Sequence, residues 1–195
     1  MTIPGYYDKQ DARLPPAPIG LEELEAMKET ALFTDEDVEA LRRSRAILEP
    51  QTEQILDVWY GFVGSKPFLL AQFSAPNGGA PNADYLARVR ARFGRWIADT
   101  ADARYDEPWL RQQLEIGRRH HRVGKNRTDG VESTALVPFR YLVPLIQPIV
   151  QTLRPFLEKS GEPKEVVDAM QEAWRKSVLL QVTLWSVPYV REGDF

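Results

Sequence analysis

Apolar side chains recur every three or four residues along most of the chain, which is the periodicity of amphipathic helices. One segment shows it clearly, with Leu86, Val89 and Phe93 followed by Trp96 or Ile97 at helical spacing. The alternation with period two that indicates strands never persists for more than a few residues. The pattern therefore predicts an all-α fold of about seven helices without internal repeats.

Capping residues, glycines and prolines divide this pattern into separate helices. Thr34 is followed by three acidic residues, which is typical of an N-cap and first turn. Asn82 and Asp106 are predicted to cap two later helices in the same way. Gly124 is the predicted end of the helix that begins after Asp106.

Prolines mark an irregular segment at the N-terminus and an unusual helix in the C-terminal third of the chain. Residues 1–20 contain four prolines and two glycines and predict an irregular N-terminal arm, followed by one helical domain over residues 21–195. A long apolar helix is expected from about residue 138 to residue 159, and a last helix to about residue 188. Pro144 and Pro148 lie inside the apolar helix, where each removes a backbone hydrogen bond, so a kink is expected there.

Composition narrows the functional classes. The 195 residues are 43% hydrophobic and have a net charge of -3, which suits one sizeable core and argues against nucleic acid as a partner. No apolar run approaches the roughly 20 residues of a membrane span, and no secretory signal is visible, so a cytoplasmic protein is expected. The absence of cysteine excludes disulfides, iron–sulfur clusters and covalent haem attachment through C-x-x-C-H. Nucleophile elbows, phosphate-binding glycine loops and paired glycosidase carboxylates are also missing.

The chain has two histidines, and they are neighbours, His120 and His121. Adjacent side chains on a helix point about 100° apart, so the two cannot readily bind one ion together. Without cysteine, a zinc site would depend on carboxylates and one histidine, which is a weak ligand set. A single axial bond to an already chelated metal remains, and haem is the common case. The alternative is an ordinary polar residue of a helix.

Other predicted helices carry large planar side chains, which would give a porphyrin an apolar wall. The alternative is that each of them only fills the hydrophobic core. They are Trp59, Tyr60, Phe93 and Trp185. Near His120, Ile116 lies one turn earlier and Gly117 allows a flat or bulky group to approach the backbone. Four arginines spread around one predicted helix indicate a solvated face, the alternative being that one pairs with a haem propionate: Arg88, Arg90, Arg92 and Arg95.

Several long segments resemble the protoglobins, the single-domain relatives of the sensor domain in globin-coupled sensors. They are ILDVWYGFVGS, YLARVRARFGRWIADT, YDEPWLRQQLEIGRRHHR, TDGVES, RYLV, RPFLEKSG and LQVTLWSVPYVREGDF. The resemblance covers nearly the whole chain. It implies a globin-like helical sandwich with an extra N-terminal helix and an irregular N-terminal arm.

The resemblance also implies a haem-b site. In the family the histidine of an I-G-x-x-H pattern ligates the iron, and here that pattern runs from Ile116 to His120, which selects His120 over His121. The distal wall of the family falls on seven residues, Trp59, Tyr60, Val89, Phe93, Leu142, Leu145 and Ile149. Family members bind O2, CO and NO and form homodimers through their last two long helices. Leu145 and Pro144 depart from the family, and Leu145, in place of a bulkier aromatic, is expected to enlarge the distal pocket.

Tyr60 is then the natural polar contact for an iron-bound gas, because no distal histidine stands at the position of Val89. Two other functions use the same haem. The first is an enzyme that turns over NO with O2, peroxide or a group-transfer reagent. The second is a gas sensor that acts through a separate partner.

Overall fold

The computed structural model describes residues 3, 5–7, 11–191 and 193–195, and this part of the chain folds into eight α-helices without a strand. The helices are α1 (Leu21–Thr30), α2 (Asp35–Leu48), α3 (Thr52–Gly64), α4 (Pro67–Leu70), α5 (Ala83–Ala101), α6 (Glu107–His120), α7 (Phe139–Glu158) and α8 (Lys164–Trp185). Short 3₁₀ turns lie at Glu49–Gln51, Ala71–Phe73 and Val187–Tyr189. The predicted all-α class is confirmed. The short α4 is the one helix beyond the seven expected.

The predicted caps form as their sequences indicate. Thr34 and Asp37 make a reciprocal capping box at the start of α2. The Asn82 side chain accepts a hydrogen bond from the Tyr85 amide at 2.9 Å. At the start of α6, the Asp106 side chain accepts one from the Trp109 amide, also at 2.9 Å. These caps satisfy amide donors that a helix leaves without partners in its first turn.

The predicted end of α6 at Gly124 is wrong, because the helix stops at His120. His121 has extended backbone angles, φ -102° and ψ 161°. The carbonyl of His120 accepts a hydrogen bond from the amide of Val137 at 2.8 Å, so a distant segment satisfies the helix end. The last turn of α6 therefore holds His120 at the edge of the loop that follows it.

Helix α8 lies at the centre of the packing and contacts α7, α2 and α6. Its Trp174 is fully buried and donates a hydrogen bond from Nε1 to the Ser44 hydroxyl of α2 at 2.9 Å. On the other side, α3 packs against α5 and α7. Helix α7 continues through Pro144, Pro148 and Pro155. Among the described helices, none is both long and apolar enough to cross a membrane.

The described residues that precede Leu21 contain no helix and pack against α6. Leu14 is 4% exposed. The Arg111 guanidinium of α6 donates to the carbonyls of Leu14 at 2.8 Å and Pro15 at 3.0 Å. Further along α6, Arg119 donates to the carbonyl of Gly5. Two arginines of one helix thus fix the path of the arm.

Candidate ligand-binding site

A large cavity lies between helices α3, α5, α6 and α7. The centre of a water-sized sphere can move through about 220 Å³ of it. One water needs only about 10–15 Å³ in the same measure, so this space is no packing defect. The dimensions suit a small-molecule or cofactor site.

All eight residues singled out from the sequence lie on the wall of this one cavity. They come from four helices: Trp59 and Tyr60 from α3, Val89 and Phe93 from α5, His120 from α6, and Leu142, Leu145 and Ile149 from α7. Helical spacing explains the members from α5 and α7, since residues three or four apart share one face of a helix. Trp59 and Tyr60 are consecutive in α3, and both reach the cavity. Four helices thus line a common space.

His120 lies on this wall in a defined tautomer. Its Nδ1 is 2.9 Å from the carbonyl oxygen of Ile116, one turn earlier in α6. Because a carbonyl can only accept, Nδ1 carries the proton and Nε2 keeps its lone pair. The ring also stacks on Trp185, with centroids 5.2 Å apart and planes 16° from parallel. One hydrogen bond and one stacking contact therefore hold the imidazole in place.

His121 is placed differently. It is not among the residues that line the cavity, and its ring packs edge-on against Tyr189 with centroids 4.8 Å apart. Its Nδ1 is buried without a hydrogen-bond partner in the described part of the chain. Of the two neighbouring histidines, His120 faces the cavity.

Stacked aromatic rings make the inner wall rigid. Phe93 stacks on Trp59 at 5.5 Å and on Trp96 at 5.0 Å between centroids. The Trp96 indole donates to the Gln181 side chain at 2.6 Å, and the Trp185 indole donates to Gln113 at 2.9 Å. A buried indole N–H needs such an acceptor, and each bond fixes the orientation of a ring. The wall can therefore pack against a flat apolar ligand.

The protoglobin family model matches residues 21–195 of the chain. The chain belongs to the protoglobin family. The structure is similar to the globin domain of a globin-coupled sensor from Geobacter sulfurreducens, with a TM-score of 0.64 and 18% sequence identity. That match covers 86% of this chain and 98% of the other, and it supports the globin-like fold. Among curated proteins, none matches the chain.

Membership of a globin family implies haem binding, and a buried cation lines one end of the protoglobin cavity, where a haem carboxylate would find an opposite charge. Lys125, which is 3% exposed, lines this end. Its Nζ donates to the Ser133 hydroxyl at 2.6 Å, the Thr134 carbonyl at 2.7 Å and the Gln72 carbonyl at 2.9 Å. All are neutral oxygens. A buried ammonium favours an anionic partner, which a ligand carboxylate would supply.

Burial disfavours the protonated, charged form of this lysine. Desolvation lowers the pKa of Lys125 from 10.5 to about 8. A carboxylate beside the ammonium would raise the pKa again, because an opposite charge favours the protonated form. The cavity of this protoglobin therefore combines an apolar wall with a cationic end.

The solvated face predicted for the four arginines is wrong for Arg92. Its side chain is 12% exposed, lines the cavity and pairs with the buried carboxylate of Asp129 through two contacts of 2.9 and 2.6 Å. The other three arginines do not line the cavity and form ion pairs of their own: Arg88 with Asp129, Arg90 with Glu53 and Asp57, and Arg95 with Asp99.

Sequence reasoning missed most of the polar lining. The residues not singled out as polar contacts are Tyr6, Gln72, Tyr85, Arg119, Lys125, Thr128 and Asp129. Four of them lie in the arm or in the segment after α6, where no helical periodicity marks a shared face. Charge in a polar loop is usual for a solvated surface, so the local sequence carries no signal for Lys125.

The haem-free protein is expected to lose stability as the pH falls from 6.5 to about 4, partly through His120. Burial lowers the pKa of His120 from 6.5 to about 4, so the unfolded chain binds a proton in this range before the folded chain does. The cost at the acid end is about 3 kcal/mol, at 1.36 kcal/mol per pKa unit.

Urea unfolding of the haem-free chain across this pH range measures the effect. The carboxylates also titrate there, so the comparison is with His120→Leu, which should lose less stability over the same interval. His121→Leu serves as the control for the general effect of losing a histidine. Equal pH profiles for wild type and His120→Leu would contradict the prediction.

Proposed function

We propose that this protoglobin holds haem b through Nε2 of His120 and binds O2, CO or NO on the opposite face of the iron. The observation that carries the proposal is a neutral imidazole, fixed by Ile116 and Trp185, on the wall of a ligand-sized apolar cavity. Haem iron supplies an open sixth position for diatomic gases. The hydrogen bond from Nδ1 orients the ring and increases the basicity of Nε2.

The residues predicted to face the bound gas are mostly apolar and include one hydroxyl group. Phe93, Leu142 and Ile149 are apolar, and the phenol of Tyr60 carries the one hydroxyl among the eight predicted residues. Burial raises the pKa of Tyr60, so its hydroxyl stays protonated at neutral pH. It remains available as a hydrogen-bond donor to a bound gas.

Reconstitution with hemin tests the proposal. The purified chain should take up one equivalent and develop an intense Soret band, which shifts on reduction and again when CO is added. A chain that remains colourless with hemin, or whose reduced spectrum ignores CO, would contradict the proposed function.

Tyr60→Phe should speed O2 release far more than CO release. Bound O2 carries partial negative charge, and a hydrogen bond to a charged acceptor is worth about 1.5–3 kcal/mol, which corresponds to roughly tenfold or more in the release rate. Bound CO carries little charge and gains less. Stopped-flow release of both gases measures the difference. Tyr85→Phe is the matched control, since that tyrosine also lines the cavity but lies outside the predicted distal wall. Equal acceleration for both gases would remove Tyr60 from this role.

A homodimer through α7 and α8 is part of the proposal. Both helices expose large apolar side chains, with Val143 of α7 at 45% and Leu179 of α8 at 43% exposure. Light scattering of the haem-loaded protein should give twice the mass of 22.3 kDa. Leu179→Glu should return it to the monomer, because a charge buried in an apolar interface is costly. A monomeric wild type would contradict this part of the proposal.

A further inference from the structure

Three tyrosines line the cavity and differ in what their phenols contact. The Tyr6 hydroxyl donates to Oδ2 of Asp99 at 2.5 Å. The pKa of the Tyr85 phenol is raised by burial and by the nearby carboxylate of Asp129, but its hydroxyl makes no hydrogen bond to a carboxylate among the described residues. For Tyr60, no residue in the described ranges accepts its hydroxyl proton. Among the described residues, Tyr6 is thus the one of these three tyrosines whose hydroxyl donates a hydrogen bond to a carboxylate.

The carboxylate of Asp99 is well placed as a base. It lies on α5, is 6% exposed, and its Oδ1 accepts a hydrogen bond from Nε of Arg95 at 3.0 Å. The Arg95 side chain is 54% exposed, so water screens its positive charge. The two oxygens of Asp99 therefore join a partly buried phenol on one side to a solvated cation on the other.

This arrangement decides which tyrosine is easiest to oxidise. A phenol that loses an electron becomes strongly acidic, and a buried radical cation is costly. Beside Asp99 the proton can leave with the electron, which gives a neutral tyrosyl radical and a neutral carboxylic acid. The net positive charge then lies on Arg95 at the surface. Oxidation of Tyr60 would leave the charge, or an unaccepted proton, inside the protein.

We propose that Tyr6 is a redox-active tyrosine, which donates an electron to the haem site when a hydroperoxide reacts there, while Asp99 takes the phenolic proton. The inference rests on the proposed function, since it requires haem in the cavity that Tyr6 lines. It adds a role for the chain itself, which is to draw oxidising equivalents away from the haem and its apolar wall.

Reduction of hydrogen peroxide to two waters takes two electrons and two protons. Tyr6 supplies the first electron to the haem site, and its phenolic proton passes to Asp99. A phenolic or thiol reductant supplies the second electron, and the two protons come from solvent. A second molecule of this reductant then returns one electron to the Tyr6 radical, and Asp99 returns the phenolic proton. The two oxidised reductant molecules release two protons to solvent, so the starting state is restored.

The residue before Tyr6, Gly5, is held against α5 and α6 by a hydrogen bond and by close packing. The carbonyl of Gly5 accepts a hydrogen bond from Arg119. Gly5 has φ +76°, and a Cβ there would lie 2.8 Å from both the Arg92 guanidinium and the Thr128 methyl group. Only glycine fits this backbone without a shift of its neighbours. The arm can therefore hold Tyr6 at the cavity while electrons move.

Freeze-quench electron paramagnetic resonance of the ferric haem-loaded full chain, mixed with hydrogen peroxide, tests the proposal. Wild type should show a tyrosyl radical, identified by the collapse of its hyperfine pattern in protein grown on ring-deuterated tyrosine. Tyr6→Phe should lower this signal at least several-fold. Asp99→Asn keeps the phenol but removes the base, and should lower it as well.

Tyr7→Phe controls for changes in the arm, and Tyr85→Phe controls for changes in the cavity wall. Both should keep the wild-type signal. If the Tyr6–Asp99 bond only anchors the arm, Tyr6→Phe will leave the tyrosyl signal unchanged, and the proposal is overturned. Haem content and the CO-bound spectrum are measured for every variant. A chain that takes up no haem contradicts the proposed function as well, whereas normal haem binding with an unchanged signal in Tyr6→Phe contradicts this inference alone.

Discussion

His120→Ala is expected to abolish axial ligation, so the variant should fail to develop the Soret band of the wild type or should show a strongly shifted and weakened one. The reason is that the cavity offers the iron one imidazole, which Ile116 and Trp185 hold in a single orientation. No neighbouring residue of α6 can replace it, because adjacent side chains on a helix point about 100° apart.

The matched control is His121→Ala, which removes the neighbouring ring outside the cavity wall and should leave the spectrum close to that of the wild type. Free imidazole provides a second check. Free imidazole should enter the space left in His120→Ala and restore a Soret band close to that of the wild type. The same addition should change the His121→Ala spectrum far less. If His121→Ala loses the band while His120→Ala keeps it, the assignment of the ligand is wrong.

The caps illustrate what local sequence can predict. Asn82 and Asp106 act on amides three residues away, so the nearby sequence contains all that the interaction needs. The end of α6 shows the opposite case. The local sequence favours a helix end at Gly124, but the helix ends at His120, whose carbonyl accepts a hydrogen bond from the amide of Val137. A contact across seventeen positions leaves no local pattern.

The same distinction holds for the site. Helical spacing places Val89 and Phe93 on one face of α5, and family resemblance extends that face to α3 and α7. Lys125 and Tyr6 could not be found in this way. Each lies in an irregular segment, and each reaches the cavity only because other helices bind that segment: Gln72 receives the lysine, and Asp99 receives the phenol.

Gly117 had a sequence-based interpretation that the structure changes. A flat or bulky group was expected to approach its backbone. The group that approaches is the backbone of Trp185: a Cβ at position 117 would lie 2.8 Å from the Trp185 Cα and 3.0 Å from its carbonyl oxygen. The crossing of α6 and α8 at this point is what brings the Trp185 ring against His120. The glycine therefore serves the proximal side of the cavity indirectly.

Gly117→Ala is accordingly expected to destabilise the fold, although alanine is the better helix former. The gain in helix propensity is about 1 kcal/mol. Overpacking against a backbone that cannot rotate away costs typically 1–3 kcal/mol, so the clash should outweigh the gain. Urea unfolding followed by tryptophan fluorescence measures the change. The Soret band of the haem-loaded variant should also move, because α8 must shift and carry Trp185 away from His120.

Gly61→Ala is the matched control, since it makes the same change in another helix with the opposite expected sign. Gly61 lies in α3, is exposed, and a Cβ there would meet nothing within 4 Å. The substitution should therefore stabilise the protein by about 0.4–1 kcal/mol through helix propensity and a less flexible unfolded chain. Opposite signs for two identical substitutions would locate the effect in the α6–α8 crossing. If Gly117→Ala instead proves as stable as Gly61→Ala, the backbones of α6 and α8 can separate at no cost in stability. Their close approach at Gly117 would then not set the position of the Trp185 ring against His120.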